Sequence, residues 1–158
     1  MENAKEVFIP DEIWYVFVGC QTFEGYCATL VPEFNLHENV PEAVQRKIAI
    51  IKKLLLHAYY EYGFIDVASL QTYLALELAL NIKYNSLNPG KKNKLTLWNL
   101  LEWAISKNVV SPKEGIIESI TFLRNHKMHP KEESISGVVS LNSIKYVCNS
   151  LINEIYNK

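Results

Sequence analysis

Arginine is almost missing from this chain. Of its 16 lysine and arginine residues, only Arg46 and Arg124 are arginines. Lysine carries nearly all the positive charge, so wherever a guanidinium stands, its planar fork matters more than its charge. Cysteine is scarce too: Cys20, Cys27 and Cys148 make an odd number at spacings that match no disulfide or zinc pattern. Each reads as a small core residue. An excess of charge of one sign is also lacking. The net charge of −1 excludes a protein built around broad, non-specific nucleic-acid binding, so any contact with phosphate must come from a local patch. Long apolar runs are missing as well. The longest, "IWYVFVGC", is far too short to span a bilayer, and "MENAKEVFIP" puts charges where a secretion signal needs an apolar stretch. Together these absences predict a cytoplasmic protein.

What is present is ordinary globular material, 49% hydrophobic and 21% charged. The length of 158 residues predicts one domain, 1–158, large enough to form a core without staples. No linker or internal repeat divides it. Helical periodicity runs almost throughout. Ile13, Phe17, Cys20, Phe23, Cys27 and Leu30 give one apolar face, opened by Pro10 and Asp11 and stopped by Pro32. After a connector at 32–40, a second helix starts at Pro41, carries Val44, Ile48, Ile51, Leu55 and Ala58 on its stripe, and ends at Gly63. "DVASLQTYLALELALNIKYNSLNPG" is apolar nearly all round, the mark of a helix at the centre of a bundle. A fourth helix runs from Thr96 to about Asn108. "SPKE" at 111–114 has the form of a capping box for a fifth, with Ile116, Ile120 and Leu123 inward. A loop around 130–138 leads to a last helix with Ile144, Val147, Leu151 and Ile155 inward. The expected fold is an all-α bundle of about six helices.

Two basic patches stand out. "GKKNK" at 90–94 reads as a solvated loop between helices or a phosphate contact. The second is "FLRNHKMHP" at 122–130, where Arg124, Asn125, His126, Lys127 and His129 crowd together, with Lys131 just beyond. Arg124 falls near the end of the fifth helix at the edge of its apolar stripe, so its stem can lie on the core while the guanidinium reaches a groove. On an unbroken helix His129 would point ~140° away from Arg124. Pro130 pushes His129 out of the α region and frees its ring to fold back. His126 faces the opposite side.

A guanidinium grips two phosphate oxygens at once, and an imidazole exchanges a proton near neutral pH. Together they can cleave RNA without metal: the histidine moves the ribose 2′-hydroxyl proton as that oxygen attacks phosphorus, and the arginine stabilises the developing charge. One histidine cannot be both base and acid, which predicts two copies of the site in one cleft of a two-fold dimer. The plainer alternative is an arginine in a surface ion pair, with two histidines favoured at a helix C-terminus.

"RNHKMH" at 124–129 resembles the signature of HEPN domains, an arginine, a polar residue, three variable residues and a histidine. "LQTYLALELALNIKYNSL" is similar to their long helix, which carries a glutamate inside an apolar run. "LTLWNLLEWAISKNVVSPKEGIIESITFLRNHKMHP" is similar to the succession of helices that leads into their motif. The resemblance covers roughly 66–156, with 1–65 adding N-terminal helices. It implies Arg124, Asn125 and His129 as catalytic residues, a homodimer and, in many members, metal-independent endoribonuclease activity with no cofactor. Toxins of toxin–antitoxin pairs and phage-defence effectors are the common settings, so an antitoxin or defence-system protein is an implied partner. Lys127 and Lys131 are the matching candidates for RNA contact. In some toxins a modified tyrosine follows two residues after the histidine; here that position is Lys131. The family also includes non-catalytic dimers that bind a nucleotide or partner protein, and subunits of larger defence assemblies.

Glu77 lies among Leu74, Leu76, Leu78, Ala79 and Leu80. A carboxylate there needs a partner. Arg124 would be oriented by it; solvent or Lys83 are the alternatives.

Overall fold

A 24-residue helix that is apolar on nearly every side is stable in water only if other helices cover it. The fold is built around that requirement. The computed structural model describes residues 8–90, 95–128 and 137–157, and the backbone alone of Phe17, Lys127 and Val138. The α-helices are α1 (Phe23–Leu30), α2 (Glu42–His57), α3 (Phe64–Leu87), α4 (Leu97–Ser106), α5 (Ile116–Met128), α6 (Gly137–Tyr146) and α7 (Ile152–Tyr156). Two π-helical turns accompany them, Trp14–Val18 and Val147–Leu151, and no strand occurs among the described residues. The second π turn joins α6 to α7 with helical dihedrals on both sides, so the chain stays helical from 137 to 156.

The long helix α3 is the spine, and α2, α4, α5, α6 and α7 all pack against it. Ala68, Ala75, Leu76, Ala79 and Leu80 are fully enclosed. Each large aliphatic side chain buried this way contributes about 1.5–3 kcal/mol. The expected stripes hold on α2 (Val44, Ile48, Ile51, Leu55, with Ala58 just beyond) and at the C-terminus (Ile144, Val147, Leu151, Ile155), all buried. Polar groups inside the core are matched. The Tyr156 hydroxyl donates to the Ala79 carbonyl at 2.8 Å, and burial pushes its pKa up to about 12. Cys148 is enclosed and its thiol is likewise raised to about 12 by burial, as befits a core residue. All three cysteines are free.

Three expectations need correction. The N-terminal stripe does not form one helix from Ile13 to Leu30. Gly19 adopts φ 72°, Cys20 N–H returns to the Trp14 carbonyl, and Thr22 restarts the chain by accepting from Gly25 N–H. The break rotates the buried face, so Trp14 and Tyr26 fill the core while Ile13, Cys20, Phe23, Cys27 and Leu30 are only half-buried. Trp14 Nε1 and the Tyr26 hydroxyl then donate to the Ala58 and Leu55 carbonyls at the end of α2.

Second, α2 ends at His57, not at Gly63. Asp11 takes over the turn that follows, donating its N–H to Tyr59 O and accepting from Tyr62 N–H with its carboxylate. Third, Ser111 is no N-cap. Gly115 at φ 68° stands between it and α5, and Ser111 donates both its N–H and its hydroxyl to the Glu154 carboxylate of α7. The π turn brings another unexpected feature. Asn149 and Asn153 hold the extended segment 33–37 by its own backbone, accepting from Asn35 and His37 N–H and donating to the Glu33 and Asn35 carbonyls.

Candidate functional site

The periodicity of α5 decides which of its residues meet the core and which meet α4. Ile116 and Ile120 are buried, and Ile117 and Leu123 pack partly against them. Arg124 sits at the edge of that stripe, so its stem lies on apolar surface while its head reaches sideways. Directly across stands Glu77 of α3. Arg124 Nη2 lies 3.7 Å from Glu77 Oε2, with 29% and 26% of the two side chains exposed. This separation makes an ion pair but is too long for a hydrogen bond. Arg124 Nη1 donates to Asn125 Oδ1 at 3.1 Å. Glu77 Oε2 and Arg124 Nε are enclosed yet have no hydrogen-bond partner among the described residues.

The three side chains line a groove of about 710 Å³ between the α5 face and the segment Leu95–Trp98 that opens α4. Thr96 caps α4 by accepting from Asn99 N–H, which fixes how that segment enters the helix. Tyr84 of α3 against Trp103 of α4, centroids 5.0 Å apart and edge-on, ties α4 to the spine behind the groove.

Of the partners open to Glu77 in the sequence, the structure gives it Arg124, which in turn donates to Asn125. Lys83, the other cation considered for Glu77, instead has its ammonium 5.7 Å from the Tyr156 ring centre. His126 is turned away from the groove, stacked on Phe122 with centroids 5.9 Å apart and planes 10° from parallel. His129, Pro130 and Lys131 lie outside the described residues, as do the Lys127 side chain and Lys91–Lys94. Among the described residues no three histidine, cysteine, aspartate or glutamate side chains cluster as a metal site, and no helix is long and apolar enough to cross a membrane.

Among the groove residues that the sequence did not single out are Trp98, Glu118 and Phe122. A signal for two of them existed. Glu118 and Phe122 are one turn apart on the polar side of α5, and a phenylalanine there has no core to enter; it is 67% exposed. Thr121 is spent locally, donating to the Ile117 carbonyl at 2.6 Å. No protein-family model, curated protein or solved structure matches this chain.

Proposed function

We propose that this protein is a metal-independent endoribonuclease of the HEPN type that works as a homodimer, in the setting of a toxin or phage-defence effector. The observation that carries the reading is the arrangement at the groove floor. An arginine in an arginine-poor chain is drawn beneath a groove by Glu77, is bonded to the next residue, Asn125, and leads within five residues to His129. A guanidinium oriented by a carboxylate keeps its remaining N–H donors for phosphate oxygens.

In this mechanism one His129 accepts the 2′-hydroxyl proton as the 2′-oxygen bonds to phosphorus. The bond from phosphorus to the 5′-oxygen breaks, and a second His129, from the two-fold partner, protonates the leaving oxygen. Arg124 stabilises the charge that accumulates on the phosphoryl oxygens. Asn125 holds the guanidinium, and Lys127 and Lys131 add positive charge along the strand. The products are a 2′,3′-cyclic phosphate and a 5′-hydroxyl.

The net charge of −1 favours a second reading, a non-catalytic helical dimer that binds a nucleotide or partner protein, including a subunit of a larger defence assembly. Incubation of the purified protein with end-labelled single-stranded RNA in EDTA separates the two. The first reading expects cyclic-phosphate products, together with a dimer in sedimentation at micromolar concentration. Intact RNA and a monomer would remove it.

A further inference from the structure

We propose that the groove beside Arg124 holds a guanine base of single-stranded RNA, with Glu118 reading its Watson–Crick edge and Trp98 and Phe122 as its stacking surfaces. This rests on the ribonuclease reading, because it takes Arg124 as the phosphate end of the site.

Arg124, paired with Glu77, and Glu118 both line the groove, six residues apart on α5, a rise of ~9 Å along the helix. That is the reach of one nucleotide from its phosphate to the far edge of a purine. A phosphate could not sit beside Glu118, whose carboxylate has no ion pair among the described residues. A base with hydrogen-bond donors could. A carboxylate only accepts, and it can accept two bonds side by side. Guanine alone among the four RNA bases offers two adjacent donors, its N1–H and its amino group, on the Watson–Crick edge. Adenine and cytosine pair one donor with a neighbouring acceptor, and uracil sets its one donor between two acceptors.

The aromatic residues fit the same occupant. Trp98 and Phe122 keep 39% and 67% of their surface exposed while lining a groove that also holds charged groups. The Phe122 ring lies nearly parallel to the His126 ring, 5.9 Å between centroids, and keeps its own edge in the groove. Base–aromatic stacking of this kind suits every base and supplies affinity, whereas the carboxylate supplies the choice.

The test uses the full chain and 2′-O-methyl pentanucleotides, which cannot be cut, carrying one central base between uridines. Binding is read by fluorescence anisotropy, and quenching of Trp98 is isolated by comparison with Trp98→Phe. The guanine strand should bind ~10-fold tighter than the adenine, cytosine or uracil strands, and inosine, which lacks the amino donor, should lose part of that margin. Glu118→Gln should erase the preference for guanine over the other bases while its thermal melt stays unchanged. Phe122→Ala should weaken all strands about equally. Equal affinity for all bases, or a preference that survives Glu118→Gln, overturns the guanine subsite; cleavage of RNA by the same preparation would then leave the ribonuclease reading standing. No binding and no cleavage overturns both. Guanosine monophosphate that competes as well as the guanine strand would overturn the assignment to RNA.

Discussion

Residues 76 and 77 are neighbours on α3 and belong to two different regions. Leu76 points into the core, fully enclosed, where even the polar groups are matched: Tyr156 on the Ala79 carbonyl, Tyr26 on the Leu55 carbonyl, Trp14 on the Ala58 carbonyl. Glu77 points to the groove, where a quarter of its side chain is exposed and one enclosed oxygen has no hydrogen-bond partner among the described residues. Polar groups that serve only the fold are normally satisfied, because an unmade buried hydrogen bond costs about 1–3 kcal/mol. The groove leaves donors and acceptors open and keeps two aromatic rings in water. The contrast teaches where the molecule holds itself together and where it is prepared for something else.

Substitutions can break that contrast or sharpen it. On the spine, Leu76→Ala should lose about 2–5 kcal/mol in urea unfolding, since a cavity opens among fully packed neighbours. In the groove, Arg124→Ala should leave stability nearly unchanged but lower RNA cleavage by about 10²–10³-fold, the cost of removing a donor that acts on transition-state charge. Lysine there should rescue poorly, because a point charge cannot replace the fork. If Arg124→Ala melts like Leu76→Ala, the groove is merely another part of the core.

Gly137 tests the junction where α6 begins. A Cβ there would stand 1.6 Å from the Tyr62 hydroxyl, on a backbone with φ 31°. Gly137→Ala should cost about 1–3 kcal/mol, the range of an overpacked core; a thermal melt equal to the parent would show that Tyr62 moves aside freely. Glu77→Ala should likewise be mild in stability, below about 1 kcal/mol, because the pair is partly solvated and its contact is long. Its effect should appear in cleavage, through an Arg124 no longer held at the groove floor. A last prediction concerns pH. Burial raises Cys148 from 9.0 and Tyr156 from 10.0 to about 12 each, so the folded chain keeps protons that the unfolded chain releases. Their contribution is complete below about pH 9 and should fade as pH rises towards 12, seen as a falling melting temperature.

Much of this was legible in the sequence, for physical reasons that differ by element. The stripes of α2 and the C-terminal helix could be read because a single face of each meets the core, and α3 because it is apolar on nearly every side. The cost of leaving a carboxylate among leucines called for a partner to Glu77 but left Arg124, Lys83 and solvent open, and only the packing of α5 on α3 selects Arg124. The N-terminal segment misled because Gly19 shifts the helical phase, and apolar spacing carries no record of such a shift. Ser111 misled because its partner, Glu154, lies 43 residues along the chain. The clamp of Asn149 and Asn153 on the segment 33–37 was invisible for the same reason, since it exists only once α6 and α7 lie beside that segment. Trp98 reads like any apolar residue of a helix until it is seen to line the groove.

In the proposed ribonuclease, the chemistry belongs to Arg124 and His129 facing one phosphate. The most direct measurement compares wild type with His129→Ala on end-labelled single-stranded RNA in EDTA, with His126→Ala as the neighbouring control. Wild type and His126→Ala should cut at similar rates and leave 2′,3′-cyclic phosphate ends, while His129→Ala should be slower by about 10²–10⁴-fold. A His129→Ala protein that cuts as fast as wild type would contradict the account.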